Sequence, residues 1–137
     1  MSVVNEGKQP KVSIIVLNWN GLEDTIECME SLSKITYPNY DVIVVDNGSE
    51  GNDVGVLRDR FGGYIQIIEN DKNYGFAEGN NIGMRHALKG EAEYVLLLNN
   101  DTIVAPDFLA ELIRVAESAA RIGILGPKVY FYHVPNM

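Results

Sequence analysis

Apolar residues gather along this chain in short blocks set apart by polar stretches, and the blocks are of two kinds. The first kind is a brief β-branched or aliphatic run, found at Val12 to Leu17, Val42 to Val45, Ile65 to Ile68, Tyr94 to Leu98 and Ile122 to Leu125. The first four of these runs are near-continuous instead of alternating, a pattern that predicts parallel strands buried on both faces. The second kind steps by three or four residues. Leu22, Ile26, Met29, Leu32 and Ile35 form one such stripe, with Glu23, Asp24, Glu27 and Glu30 lying off it, which predicts an amphipathic helix. A second stripe, Leu109, Leu112, Ile113, Ala116, Ala119 and Ala120, follows Pro106 and Asp107, residues suited to a helix's first turn. Weaker helices are expected at Asp53 to Arg60 and at Phe76 to Leu88. Strand and helix in alternation predict an α/β fold with an open, mainly parallel sheet and right-handed crossovers.

Ligands of such sheets bind beyond the carboxyl ends of the strands, so the residues after each apolar run are the candidates for chemistry. The first run ends in Asn18-Trp19-Asn20-Gly21, the second in Asp46-Asn47-Gly48-Ser49, the third in Glu69-Asn70-Asp71 and the fourth in Asn99-Asn100-Asp101-Thr102. Any one of these loops is explained by Asn, Asp and Gly being turn formers. Four on one edge point to a site for a polar ligand. The sequence contains no G-x-G-x-x-G after a strand and no G-x-x-x-x-G-K-[ST], which argues against a dinucleotide fold or a P-loop. Neither is there a G-x-S-x-G elbow, and His86 and His133 have no evident nucleophile or carboxylate partner. An acidic residue at the tip of a hydrophobic strand can hold Mg²⁺ or Mn²⁺ against a diphosphate with few protein ligands, and Asp101 is the natural candidate.

Composition narrows the field further. The 137 residues carry 11 Lys and Arg against 19 Asp and Glu, a formal charge of −8, with the basic residues scattered, so nucleic acid is disfavoured as a partner. With 46% apolar residues, a chain of this length can bury roughly two-thirds of its unfolded surface without staples. The lone Cys28 permits no intrachain disulfide and falls where a helix would place a small apolar residue. The opening MSVVNEGKQPK lacks the apolar stretch of a signal peptide, and a cytoplasmic protein is expected. Nothing marks a linker, so the expected organisation is a tail over residues 1–10 and one domain over 11–137.

Four segments together resemble family 2 of the inverting glycosyltransferases. They are Pro10 to Gly21, Val44 to Ser49, Asn73 to Gly83 and Leu96 to Thr102, in matching order and spacing. The N-W-N-G, G-F-A-x-G-N-N and L-N-N-D-T variants look most like its rhamnosyltransferase-like branch, and the resemblance runs from about Pro10 to Tyr130. It implies a GT-A fold, a nucleotide-diphosphate-sugar donor such as a dTDP- or UDP-sugar, and usually a divalent cation, Mn²⁺ or Mg²⁺. Carried over by position, Asn18 and Asn20 lie at the first-strand tip that flanks the base, and Asp46, beside Asn47, matches the acidic residue that bonds a pyrimidine ring. Asn73, Gly75, Asn80 and Asn81 belong to the segment that closes over the nucleotide. Gly79 and Gly83 there fit either that closure or tight helix-to-strand packing. Asn100 and Asp101 fall in the D-x-D region, Asn100 near the ribose and Asp101 as the metal ligand. Asn99 and Asn100 are neutral amides, weaker ligands than carboxylates, which argues against a strict metal requirement.

The family's base is a carboxylate well downstream of the D-x-D region, and no residue here matches it. Asp107 and Glu111 fall in a helix's first turn, where acids favour the dipole, and are assigned to capping and surface. The expected function is therefore the donor-binding half of a glycosyltransferase that acts, as the family suggests, on a glycan or lipid-linked acceptor at the inner membrane face. The competing reading is a non-catalytic nucleotide-binding or protein-interaction module that keeps the fold. A related nucleotidyltransferase is disfavoured, because Asn18 to Glu23 stand where such enzymes carry a Gly-rich phosphate loop with a basic residue. Apolar surface around Val129 to Tyr132 suggests self-association into a homo-oligomer.

Overall fold

A computed structural model of the chain describes residues 9–118. Its elements, in chain order, are β1 (Val12–Asn18), α1 (Leu22–Leu32), β2 (Tyr40–Asp46), α2 (Asp53–Phe61), β3 (Ile65–Glu69), α3 (Phe76–Leu88), β4 (Tyr94–Leu98) and α4 (Phe108–Ser118). The four strands form one sheet in the order β3-β2-β1-β4, and every pairing is parallel. The alternation of apolar runs and stripes thus yields the expected α/β sheet. The fifth apolar run, Ile122 to Leu125, and the surface around Val129 to Tyr132 lie outside the described residues.

The pleat sends alternate side chains to opposite faces. Val12, Ile14 and Val16 of β1, Val42 and Val44 of β2, and Leu96 and Leu98 of β4 turn to one face, where Met29, Leu32, Leu57, Leu109 and Ile113 cover them. These core side chains come from α1, α2 and α4. Ile15, Ile43 and Val45 turn to the other face and meet Ala87, with Leu17 and Met84 partly buried beside them. That second face is covered by α3, which comes close because two glycines form its inner side. A Cβ on Gly79 would lie 2.6 Å from Leu17 Cδ1, and one on Gly83 2.6 Å from Ile15 Cγ2. Helix-to-strand packing therefore accounts for both glycines.

Two expectations need correction. Burial on both faces holds for β1 and β2, but β3 and β4 are the edges of the described sheet and are only partly covered; Leu97 is 44% exposed. Continuous apolar character in those runs reflects their neighbours in the sheet, not two-sided burial. Helix α1 also ends at Leu32, short of Ile35, which still packs against the same core from the turn beyond. There the hydroxyls of Ser31 and Ser33 bond back to the carbonyls of Cys28 and Glu30, and the amides of Lys34 and Ile35 form tight bonds to Ser31 and Leu32. Side chains of this type compete with the helix ladder and close it. The tail is fastened at its end: Asn39 Nδ2 donates to the Gln9 carbonyl and the Tyr37 hydroxyl to that of Pro10.

From β1 the chain moves outward to β2 and β3, and α3 then carries it back across the opposite face so that β4 pairs with the free side of β1. Strand order reverses at β1. The crevice outside its carboxyl end, between β1 and β4, is where a sheet of this kind holds ligands.

Candidate active site

At the carboxyl end of β1 and β2, register places Asn18 opposite Asp46, and both are buried. Asn18 Nδ2 donates to Asp46 Oδ1 at 2.8 Å, to Asp53 Oδ2 at 2.9 Å and to Ser49 Oγ at 3.2 Å. A single amide thus holds two buried carboxylates together. On its other side Asn18 Oδ1 accepts from the Thr25 hydroxyl at 2.6 Å, and Thr25 in turn accepts from Asn100 Nδ2 at 3.0 Å. Ser49 closes the ring, its Oγ donating to Asp46 Oδ1 at 2.7 Å and its amide to Asp46 Oδ2 at 3.0 Å. Asn20, at a positive φ of 50°, is exposed; its amide donates to Ser49 Oγ and its Oδ1 accepts from the Glu50 amide. No buried side-chain polar atom among the described residues is without a partner.

Asn47 starts the neighbouring loop and is 1% exposed. Its Nδ2 donates to Asn73 Oδ1 and to the Gly75 carbonyl, both at 3.0 Å, while its Oδ1 accepts from Asn70 Nδ2 and from the Tyr74 amide, both at 3.1 Å. Asn73 Oδ1 also accepts from the Gly75 amide at 2.7 Å. Gly48 holds this turn close: its φ is +78°, and a Cβ there would lie 2.7 Å from the Lys72 backbone. Gly75, with φ +90°, gives the backbone the left-handed bend that starts α3.

Beside these loops opens a pocket of about 330 Å³. Leu17, Leu97 and Leu98 supply apolar lining; Trp19 and Phe76 supply aromatic surface; Asn47, Asn73, Gly75, Asn80, Asn99 and Asn100 complete it. None of these side chains is charged. The Trp19 and Phe76 side chains are 50% and 66% exposed, leaving large apolar surface facing solvent. The structure therefore gathers Asn47, Asn73, Gly75, Asn80 and Asn100 around one cavity. Asn18 and Asp46 lie behind its wall, Asn20 lies outside it, and Asn81 is on the exposed side of α3, where it bonds Glu78. The Glu78 carboxyl is held below its ordinary range, first by its bond to Arg85.

Asp101, just beyond β4, is exposed and forms no hydrogen bond or ion pair with any other described residue. No three His, Cys, Asp or Glu side chains among the described residues converge into a metal cage. A hard cation shared with a diphosphate needs only one or two protein carboxylates, so this exposed carboxylate beside two amides fits such an ion. Beneath the β4 tip the Cys28 thiol lies 4.0 Å from the Asn99 carbonyl, and its pKa is pushed up to about 12 by burial and then by the Asp101 charge. It is a packed, protonated thiol. His86 is exposed and pairs with Gln66 at 3.0 Å, and Glu111 pairs with Arg114 at 2.8 Å; both belong to the surface. His133 lies outside the described residues.

Sequence reasoning missed Thr25, Asp53 and the pocket's apolar lining. Thr25 falls one residue from Ile26 on the helical stripe and Asp53 at a helix start, so each has an ordinary local explanation. Trp19 and Phe76 fall within the family-like segments, and what the sequence does not show is that both are exposed.

The model of glycosyl transferase family 2 matches residues 13–136. Glycosyltransferase GlyG of Streptococcus pneumoniae is 26% identical over 118 residues, covering 84% of this chain and 38% of that protein. The low-salt glycan biosynthesis hexosyltransferase Agl10 of Haloferax volcanii is 29% identical over 120 residues, covering 86% of this chain and 36% of that protein. This chain thus spans less than two-fifths of the length of either relative. Among solved structures, the mannosyltransferase PcManGT from Pyrobaculum calidifontis, in complex with GDP-Man and Mn²⁺, has a TM-score of 0.71 at 24% identity, covering 77% of this chain and 32% of that one. Residues 1–349 of S. aureus TarS, in complex with UDP-GlcNAc, have a TM-score of 0.69 at 21% identity, covering 79% of this chain and 31% of that one. The structural likenesses establish the GT-A architecture, and with the family match across nearly all of the sequence they place this chain in glycosyltransferase family 2.

Proposed function

We propose that this chain is the donor-binding part of an inverting glycosyltransferase that takes a nucleotide-diphosphate sugar, dTDP- or UDP-linked, and passes the sugar to a glycan or lipid-linked acceptor. One observation carries the proposal. The cavity at the strand-order reversal is lined by amides, leucines and aromatic surface with no charged side chain, while an exposed carboxylate, Asp101, stands outside it at the tip of β4. An uncharged cavity of this kind suits a nucleoside, whose base offers a π-face and several donors and acceptors. A diphosphate, by contrast, would sit at the mouth. The nucleotide sugars bound by PcManGT and TarS, GDP-Man and UDP-GlcNAc, support a nucleotide-diphosphate sugar as the donor, and the choice of dTDP or UDP rests on the rhamnosyltransferase-like loop variants.

In this reading Trp19 and Phe76 offer stacking surface, Asn73, Asn80 and Asn100 offer hydrogen bonds to base and ribose, and Asp101 holds the divalent cation. When bound, that cation supplies positive charge against the leaving diphosphate. The buried ring of Asn18, Asp46, Ser49 and Asp53 fixes the loops before any ligand arrives, so little ordering is left to binding. No residue of this chain is assigned the acceptor's base. Because Trp19 is the chain's one tryptophan, its fluorescence reports on the cavity directly. Titration with UDP or dTDP in Mn²⁺ is expected to change that fluorescence saturably, and ribose 5-phosphate or inorganic diphosphate at the same concentration is expected to do so far less. Equal responses to all of them, or none, would favour the interaction-module reading.

A further inference from the structure

The four hydrogen bonds of Asn47 have a consequence for how the cavity is made. A carboxamide offers two N–H donors and two lone pairs. Asn47 uses all four on the segment between β3 and α3, bonding Asn70, Asn73, Tyr74 and Gly75 and nothing else through its side chain. Its orientation is fixed without ambiguity, because the Tyr74 amide must face the oxygen and the Gly75 carbonyl must face the nitrogen. Although the side chain touches the cavity wall, it has no bond left for a ligand.

Apart from these bonds, the bond of the Asn70 amide to the Asp46 carbonyl at 2.8 Å and the close approach of Gly48 to Lys72, the segment's described hydrogen bonds stay within it or run to α3. Residues 71–77 are exposed, and the segment ends in Gly75 at a positive φ before Phe76 opens α3. Two of the residues lining the cavity, Asn73 and Gly75, belong to it, and a third, Phe76, follows directly. We propose that Asn47 is a positioning residue that latches the β3–α3 segment against the β2 tip, so that nucleotide affinity depends on it through the placement of Asn73, Gly75 and Phe76 and not through contact. The proposal rests on the donor-site reading above. It also explains why an amide stands beside Asp46: a carboxylate at position 47 would still accept from Asn70 and Tyr74 but would face Asn73 Oδ1 and the Gly75 carbonyl, two acceptors, with no proton to give.

The latch is tested on the 137-residue chain with three variants, Asn47→Ala, Asn47→Asp and Asn70→Ala. Asn70 does not line the cavity, and the one described hydrogen bond of its side chain goes to Asn47, so its loss probes the latch without touching the nucleotide site. One readout is amide hydrogen exchange at Tyr74 and Gly75, compared with Val44 in the β2 ladder; the other is the UDP dissociation constant in Mn²⁺ from Trp19 fluorescence. Asn47→Ala is expected to lower protection at Tyr74 and Gly75 at least tenfold, Asn47→Asp to do so at Gly75 alone, and both to leave Val44 within twofold and to weaken UDP at least tenfold. Asn70→Ala, which removes one bond in four, is expected to give a two- to fivefold loss in both. Unchanged protection in Asn47→Ala overturns the latch, and so does lost protection with unchanged UDP affinity. If Asn47→Ala does not fold, the milder Asn70→Ala decides by the same criteria. Failure of the unaltered chain to bind any nucleotide overturns the donor-site reading instead, while the exchange arm still decides whether Asn47 holds the loop.

Discussion

The β1–β2 side of the sheet's carboxyl edge and the tip of β4 are made from the same residue types, Asn and Asp, yet they are built in opposite ways. Asn18, Asp46 and Asp53 are buried and satisfy one another, whereas Asp101 is exposed and bonds to no other described residue. Amides and carboxylates that bond each other shape a scaffold, and those that bond nothing are free to meet a ligand. A motif residue can serve either purpose. Thr25 links the two regions, accepting from Asn100 at one end and donating to Asn18 at the other.

The largest way to break this contrast is Asn18→Ala. Removing the amide leaves Asp46 and Asp53 without their shared donor inside the protein and strips the Thr25 hydroxyl of its acceptor, a loss expected to cost about 3 kcal/mol in urea unfolding. Thr25→Val keeps the shape but cuts the link. It should cost roughly 1–2 kcal/mol and release Asn100, weakening nucleotide binding as well as stability. The Cys28 thiol, with its pKa raised to about 12, favours the folded state while protonated. That contribution is complete below the unfolded thiol's ordinary pKa, declines as pH rises above it and is lost above about 12. Iodoacetamide at pH 9 is therefore expected to alkylate the urea-unfolded chain and to spare the native one. Asp101→Ala, at the open end, should change stability by no more than about 0.5 kcal/mol. A larger loss would mean that the β4 tip is part of the scaffold after all.

Much of this architecture is visible in the order of residues. β1, β2 and α4 announce themselves because Val and Ile runs and a three-to-four stripe have few other uses, and Asp53 to Arg60 and Phe76 to Leu88 are recovered as α2 and α3 despite their weaker patterns. The limits of α1 and the exposure of β3 and β4 are not visible, because one depends on serine hydroxyls that compete locally and the other on which strands end up at an edge. The site divides in the same way. Asn73, singled out through the family resemblance, does line the cavity, while the partnership of Asn18 with Asp53, 35 residues apart, exists only once β1 and α2 are packed. Asn47 shows the limit most clearly: adjacency to Asp46 suggests a shared duty, but the pleat turns the two side chains to different tasks, one into the buried ring and the other onto the loop.

The donor site itself is tested most directly by thermal unfolding of the chain and of Asp101→Ala with UDP, dTDP, GDP and ADP, each with and without Mn²⁺. At about one hundred times the dissociation constant a ligand adds roughly 2.7 kcal/mol, which for a domain of this size raises the midpoint by roughly 5 to 10 °C. The account predicts such a rise with UDP or dTDP in Mn²⁺ and its loss in Asp101→Ala. Midpoints unmoved by every nucleotide, or moved equally in the variant, would contradict it.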